Sequence, residues 1–202
     1  HGLYVRFKPD PTVFEEVVFD YSTLLNRLRE QSFLNAGVNI VIKDERYLDG
    51  EQDARCDDLC YEGGIRSFVE YVNRLKHAEV VNADVIYMAA SREDSVAEVA
   101  LQYNDSYNET LMTFANNMNT IEGGTHETGF KAALTRVLND YARKNGILKD
   151  SDKALSGEDV REGICAIISV KLQNAQFESQ TKAKLGNSEI RALVDSTVTA
   201  RL

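Results

Sequence analysis

The chain is poor in the residues that usually announce a secreted, metal-bound or membrane protein. It has three cysteines in 202 residues. That odd number implies a reducing compartment, the cytoplasm, with no disulfide framework. Cys56 and Cys60 are separated by three residues, with no second pair nearby to complete a four-ligand metal site. No apolar run approaches the roughly 20 residues of a membrane span. The first residues lack the apolar core of a signal peptide, and the chain opens abruptly, as a piece of a longer protein would. Only two prolines are present, Pro9 and Pro11. They fix an extended exit from residues 3–7, which alternate like a strand, and so mark a boundary. Positive charge is also short: the net charge is −9. The bulk surface repels nucleic acid, and any contact with it must be local. No Ser/His/Asp order, metal-ligand spacing or G-x-x-x-x-G-K-[ST] loop appears. A self-contained active site is not legible.

What is present is a regular alternation of apolar patterns. A helix follows Phe19, capped by Asp20 or Ser22, with Tyr21, Leu24, Leu25 and Leu28 on one face and Gly37 at its end. Residues 38–43 read as a strand, and the acidic, polar residues 44–58 as a mobile hairpin tip. Ile65, Phe68, Val69, Val72 and Leu75 define a second helix. Residues 85–89 and 96–103 form a hairpin, the second strand half-buried by its alternation. Residues 111–118 form a further strand. Gly123 and Gly124 allow a tight backbone approach, and Thr125 is placed to cap a long helix striped by Phe130, Ala133, Leu134, Val137, Leu138 and Tyr141. Gly146 stops it. Ser156 and Asp159 have the spacing of a capping box. Residues 164–172 are the most apolar strand and belong at the centre of a sheet, and residues 188–202 form the last helix. Strands mixed with helices indicate an α/β or α+β sheet with helices on one face.

Three constellations and one loop carry possible chemistry. His126, behind two glycines at a helix start, is either a phosphate or substrate contact or a polar residue of the cap region. Lys131, Arg136, Arg143 and Lys144 are a basic concentration on the long helix. They form either a local contact to a DNA backbone or a solvated face. Glu158, Asp159 and Glu162 bracket Arg161 and suit either acid–base work or, more commonly, helix capping. The loop Gln180-Thr181-Lys182 lies between the apolar strand and the last helix, and its lysine is a point charge able to reach a phosphate.

Several motifs in order along the chain resemble one family. They are Leu28-Arg29-Glu30 with Phe33-Leu34-Asn35, Tyr61-Glu62-Gly63-Gly64-Ile65 and Val99-Ala100-Leu101-Gln102-Tyr103-Asn104. Glu122-Gly123-Gly124-Thr125-His126 follows with Gly129-Phe130-Lys131, then Gly157-Glu158-Asp159-Val160-Arg161-Glu162-Gly163 and Gln180-Thr181-Lys182. This set resembles the transducer domain of bacterial DNA gyrase B, of the type IIA topoisomerase family. The corresponding protein of topoisomerase IV, a decatenating relative, shares most of it. The resemblance implies a ribosomal-protein-like two-layer sandwich, a mixed sheet with helices on one face and a left-handed βαβ crossover. Residues 1–12 would be the remnant of an ATPase domain's last strand, and 13–202 the transducer with its C-terminal linking helix.

The function implied is coupling of ATP hydrolysis to DNA strand passage and negative supercoiling. Gln180, Thr181 and Lys182 would sense the ATP γ-phosphate, with Lys182 as the catalytic contact, and Lys131 and Arg136 would meet DNA. ATP is shared with a preceding ATPase domain, and Mg2+ belongs to the complete enzyme, with no metal expected in this segment. The implied partners are DNA, the gyrase A protein, the ATPase and Toprim domains and a second copy of gyrase B, in the cytoplasm with no membrane. The ATPase domain's Mg-binding helix and the Toprim acidic motif are not in this sequence, so this segment alone should not hydrolyse ATP. Residues 47–60 match no family wording. A free-standing nucleic-acid-binding or interaction module of the same fold is the rival from another class.

Overall fold

The computed structural model describes residues 2–47, 55–149 and 151–202. The described elements begin with α1 (Tyr21–Leu34), β1 (Ile40–Asp44), β2 (Arg55–Leu59) and α2 (Ile65–Leu75). Strands β3 (Ile86–Arg92), β4 (Ser95–Tyr103), β5 (Thr110–Ala115) and β6 (Met118–Asn119) follow. The chain continues through α3 (Thr125–Lys144), α4 (Gly157–Arg161), β7 (Ile164–Leu172) and α5 (Ser188–Arg201).

Helix α1 starts at Asp20, whose carboxylate accepts from the Thr23 N–H at 2.7 Å. This satisfies one of the orphan donors of the first turn. Strands β1 and β2 pair antiparallel as a separate hairpin, from Ile40 opposite Leu59 to Asp44 opposite Arg55. Of the tip expected over residues 44–58, residues 48–54 lie outside the described residues, whereas Asp44 and Arg55–Asp58 belong to the paired strands and Glu45–Tyr47 form a short 3-10 turn. The main sheet has the order β3-β4-β7-β5-β6. Strand β7 is central, as its apolar run requires. It pairs antiparallel with β4, Ala100 opposite Ile167, and parallel with β5, Met112 opposite Ile167. The sheet is therefore mixed, and the parallel pair is joined through β6, α3 and α4.

The mixed α/β class holds, but the expectation of two layers with helices on one face is corrected. Both faces are covered. Ala97, Val99, Leu101, Ala166, Ile168 and Val170 pack under Phe130, Leu134, Ile190 and Val194 of α3 and α5. The intervening Ala100, Cys165 and Ile167, with Phe114, pack on the other side against Phe68 and Val69 of α2 and Phe33 of α1. The rings of Phe33 and Phe68 are stacked, with centroids 4.7 Å apart. Alternation in β4 suggested a half-buried strand because Glu98 and Gln102 are polar. Gln102 is nevertheless buried, donating to the Asn82 carbonyl at 2.8 Å and accepting from the Asn73 amide at 2.9 Å. A buried amide with its partners supplied costs little, so a polar letter did not mean a wet face.

Three smaller expectations change. Residues 3–7 form no strand: Leu3, Tyr4, Val5 and Phe7 are exposed, and no partner strand among the described residues takes up their backbone groups. The strand expected over 111–118 ends at Ala115 and turns back at once into β6. Asn116 and Asn117 both have positive φ, 49° and 64°, a conformation asparagine tolerates in tight hairpin turns. Thr125 is the first residue of α3 rather than its cap. Gly124 holds the cap position without a side-chain bond.

Candidate functional site

The loop that follows β7 is built as a closed turn on a pinned base. At the base, the Asn187 side chain accepts from the Gln176 N–H at 2.7 Å and donates to the Asn174 carbonyl at 3.1 Å. Phe177 and Leu185 form an antiparallel bridge, and the Glu178 N–H donates to the Lys184 carbonyl at 3.0 Å. The Lys184 ammonium also pairs with the Glu178 carboxylate at 3.0 Å. At the tip, the Lys182 N–H donates to the Ser179 carbonyl at 3.1 Å, and Lys182 takes φ +56°. The Ser179 and Thr181 hydroxyls lie 2.6 Å apart.

Gln180, Thr181 and Lys182 are all exposed, and the buried Ala183 and Leu185 follow them on the far strand of the loop. Among the described residues the Lys182 ammonium makes no ion pair. The tip thus offers one uncommitted cation and two hydroxyl or amide groups to an anion.

The returning strand of the loop lies against the head of α3. The Glu122 N–H donates to the Ala183 carbonyl at 3.0 Å, the Leu185 N–H to the Gly123 carbonyl at 3.1 Å and the Thr125 N–H to the Leu185 carbonyl at 3.0 Å. Gly124 lies at φ +139°, and a Cβ there would run into the Leu185 backbone, 2.6 Å from its nitrogen. Of the two adjacent glycines marked in the sequence, Gly124 is the one this approach needs; a Cβ at Gly123, φ +69°, would meet the Glu127 side chain instead. The contribution of Ala183 and Leu185 had no local signal.

His126 does not face an anion. It is fully buried, its Nε2 lies 3.0 Å from the Thr120 hydroxyl, and Thr120 in turn donates to the Thr113 carbonyl at 2.9 Å. Burial pushes its pKa down to about 4, so the ring is neutral at physiological pH. It is a residue of the first turn of α3, as the cap-region reading had it, with its ring turned into the core. Glu158 and Asp159 lie in the first turn of α4, where Ser156 and Asp159 close a capping box. The Asp159 carboxylate accepts from the Ser156 N–H at 2.7 Å. The capping reading of that acidic cluster is the one observed.

Lys131 and Arg136 both line an open groove of about 650 Å³ along α3, with Thr128, Thr135 and Asn139. Both are engaged inside the domain. Lys131 pairs with Glu127 at 2.7 Å and Glu109 at 3.2 Å, and Glu109 also accepts from Arg161 at 2.9 Å. The two cations hold the Glu109 carboxyl below its ordinary pKa against the opposing effect of burial. Arg136 forks onto Asp195 at 2.8 and 3.2 Å and reaches the Thr199 hydroxyl at 2.8 Å, tying α3 to α5. Arg143 donates to the Lys149 carbonyl at 3.0 Å, at the far end of the helix. The role of Glu109 was not visible in the sequence, because its partners Lys131 and Arg161 lie far along the chain, on other elements. Among the described residues no three His, Cys, Asp or Glu side chains gather as metal ligands, and no helix is long and apolar enough to cross a membrane.

Fold and loop together define a helix–sheet–helix α/β domain that presents a cation on a braced loop. A family model described as DNA gyrase B matches residues 64–202, from the head of α2 onward. DNA gyrase B of Clostridium acetobutylicum is 55% identical over the whole chain, which spans 31% of that relative. DNA gyrase B of Halalkalibacterium halodurans is 51% identical over 98% of the chain and 30% of the relative. Among solved structures, the 43K ATPase domain of Thermus thermophilus gyrase B superposes with a TM-score of 0.81 at 34% identity, over 96% of this chain and 50% of that one. The gyrase B protein of Myxococcus xanthus gives the same TM-score at 21% identity, over 96% of this chain and 58% of that one, and shares the fold. The chain belongs to the DNA gyrase B family. It spans about a third of the length of the Clostridium and Halalkalibacterium relatives.

Proposed function

We propose that this segment is the transducer of a gyrase B protein, coupling ATP hydrolysis to DNA strand passage and negative supercoiling. The observation that carries the reading is the loop tip. Lys182 is exposed, uncommitted among the described residues and held on a closed turn, whereas Lys131 and Arg136 are already paired. A cation in that setting, offered to the γ-phosphate of ATP bound in a neighbouring domain, stabilises charge that develops during transfer. Gln180 and Thr181 would add neutral contacts beside it. ATP supplies the phosphoryl group and Mg2+ neutralises it, and the ligands for both belong to the preceding ATPase domain.

In this reading residues 1–12 close that domain, residues 13–202 form the transducer, and α5 leads toward the Toprim domain. Lys131 and Arg136 on the α3 groove face DNA inside a gyrase B dimer assembled with the gyrase A protein in the cytoplasm. Glu127 and Glu109 must then yield Lys131 to phosphate, which makes that contact weak and salt-sensitive. Family membership favours supercoiling over the decatenation of topoisomerase IV.

The test uses the full-length protein. Lys182→Ala should lower ATP turnover by a factor of about 100 to 1,000, the usual cost of losing one preorganised contact to developing charge, while nucleotide still binds. Turnover within about twofold of wild type, under ~0.5 kcal/mol of barrier, would return Lys182 to an ordinary surface lysine.

A further inference from the structure

We propose that the main-chain clasp between residues 183–185 and Gly123-Gly124 makes the loop and the head of α3 one moving body, with Gly124 as its positioning residue. The inference rests on the reading of Lys182 just given, and adds the route by which a pull on Lys182 leaves the loop.

The geometry leaves the loop little slack. Lys182 is adjacent to Ala183, whose carbonyl holds the Glu122 N–H. Consecutive Cα atoms are about 3.8 Å apart, so no main-chain residue lies between Lys182 and the first clasp bond, and the only slack is the lysine's own side chain. The tip is closed on its other side by the Lys182–Ser179 and Glu178–Lys184 backbone bonds. A displacement of Lys182 therefore loads the clasp before it can be absorbed in the loop. The clasp resists that load in both directions, because Leu185 donates to Gly123 and accepts from Thr125. Leu185 is also fully buried, in the core that contains Phe130 of α3 and Ile190 of α5. Thr125 is the first residue of α3, so the last clasp bond ends on the helix that carries Lys131 and Arg136. Gly124 permits the approach. Its φ of +139° disfavours any L side chain, and a Cβ would meet the Leu185 backbone rather than a side chain able to step aside.

Hydrogen exchange of the full-length protein, with and without a non-hydrolysable ATP analogue, tests this. In wild type, nucleotide should slow exchange by about tenfold or more in residues 178–182 and, together with them, at the amides of Glu122, Thr125 and Leu185. In Gly124→Ala the loop should still respond while residues 122–125 do not. Gly146→Ala serves as the control. It also replaces a positive-φ glycine, at the milder φ of +69° and with nothing within 4 Å of an added Cβ, near the opposite end of α3, and should respond like wild type.

Protection of the loop with no change at Glu122 and Thr125 in wild type would overturn the clasp and leave the Lys182 reading intact. A response at 122–125 that survives in Gly124→Ala would overturn Gly124 as the positioning residue. No response in 178–182 at all would overturn the Lys182 reading and the clasp with it. If Gly124→Ala does not fold, the wild-type comparison still decides.

Discussion

At the scale of single residues, the chain keeps several of its titratable groups either paired or neutral. His126 is the clearest case. Its folded pKa of about 4 lies below the ordinary 6.5, so between those values the unfolded chain binds a proton that the folded chain refuses. Stability is unaffected above about pH 6.5 and is lost as pH falls toward 4. The loss is roughly 3 kcal/mol from this residue, at about 1.4 kcal/mol per unit. His126→Gln, which can keep a bond to Thr120, should flatten that part of the profile relative to wild type in urea melts at pH 4.5 and 7.5. An equal slope in both proteins would assign the acid sensitivity elsewhere. Cys165 is also kept neutral: burial pushes its thiol up to about 11, so it packs as a small apolar residue. Sequence placed His126 at a helix start but not its side chain's direction, because a histidine letter is compatible with core and solvent alike. Lys131 was legible as a cation on α3. Its pairing with Glu109 was not, since that contact depends on how the approach to β5 is brought beside the helix.

At the scale of elements, the helices and the central strand were legible because their periodicities are long and strong. Asp20 and the Ser156/Asp159 box were legible because capping is decided within three or four residues. What escaped were features decided across the fold. The Asn116-Asn117 turn cut short a strand read through residue 118, and residues 3–7 alternate correctly but have no pairing partner among the described residues. The covering of the second sheet face was missed because Ala100, Cys165 and Ile167 lie among residues that already satisfied one face. Large-to-small substitutions on each face test that arrangement. Phe130→Ala on α3 and Phe114→Ala on β5, beneath α2, should each cost about 3–5 kcal/mol in urea unfolding, as for fully buried aromatic rings. A cost below about 1 kcal/mol for Phe114→Ala would mean that its face is effectively solvated.

At the scale of the whole molecule, a net charge of −9 is carried by a domain whose sheet is covered on both faces, with several of its positive groups already paired. Its surface acts through position rather than through bulk attraction. The order of the sheet has a consequence for biosynthesis. Strand β7 is the last of the described strands in the chain and the middle one in the sheet. A ribosome releases the β3–β4 and β5–β6 hairpins well before the strand that joins them. Until residues 164–172 emerge, β4 and β5 each present a row of unpaired backbone groups beside side chains meant for the core. That is the geometry of a sheet edge prone to sticking. Closing the sheet also requires contacts between residues far apart in sequence, which slows folding. A nascent chain stalled with its last synthesised residue before Ile164 should be protease-sensitive and dependent on a chaperone. One released through Leu172 and α5 should become resistant. The quality-control burden of this domain falls on the interval between those two lengths.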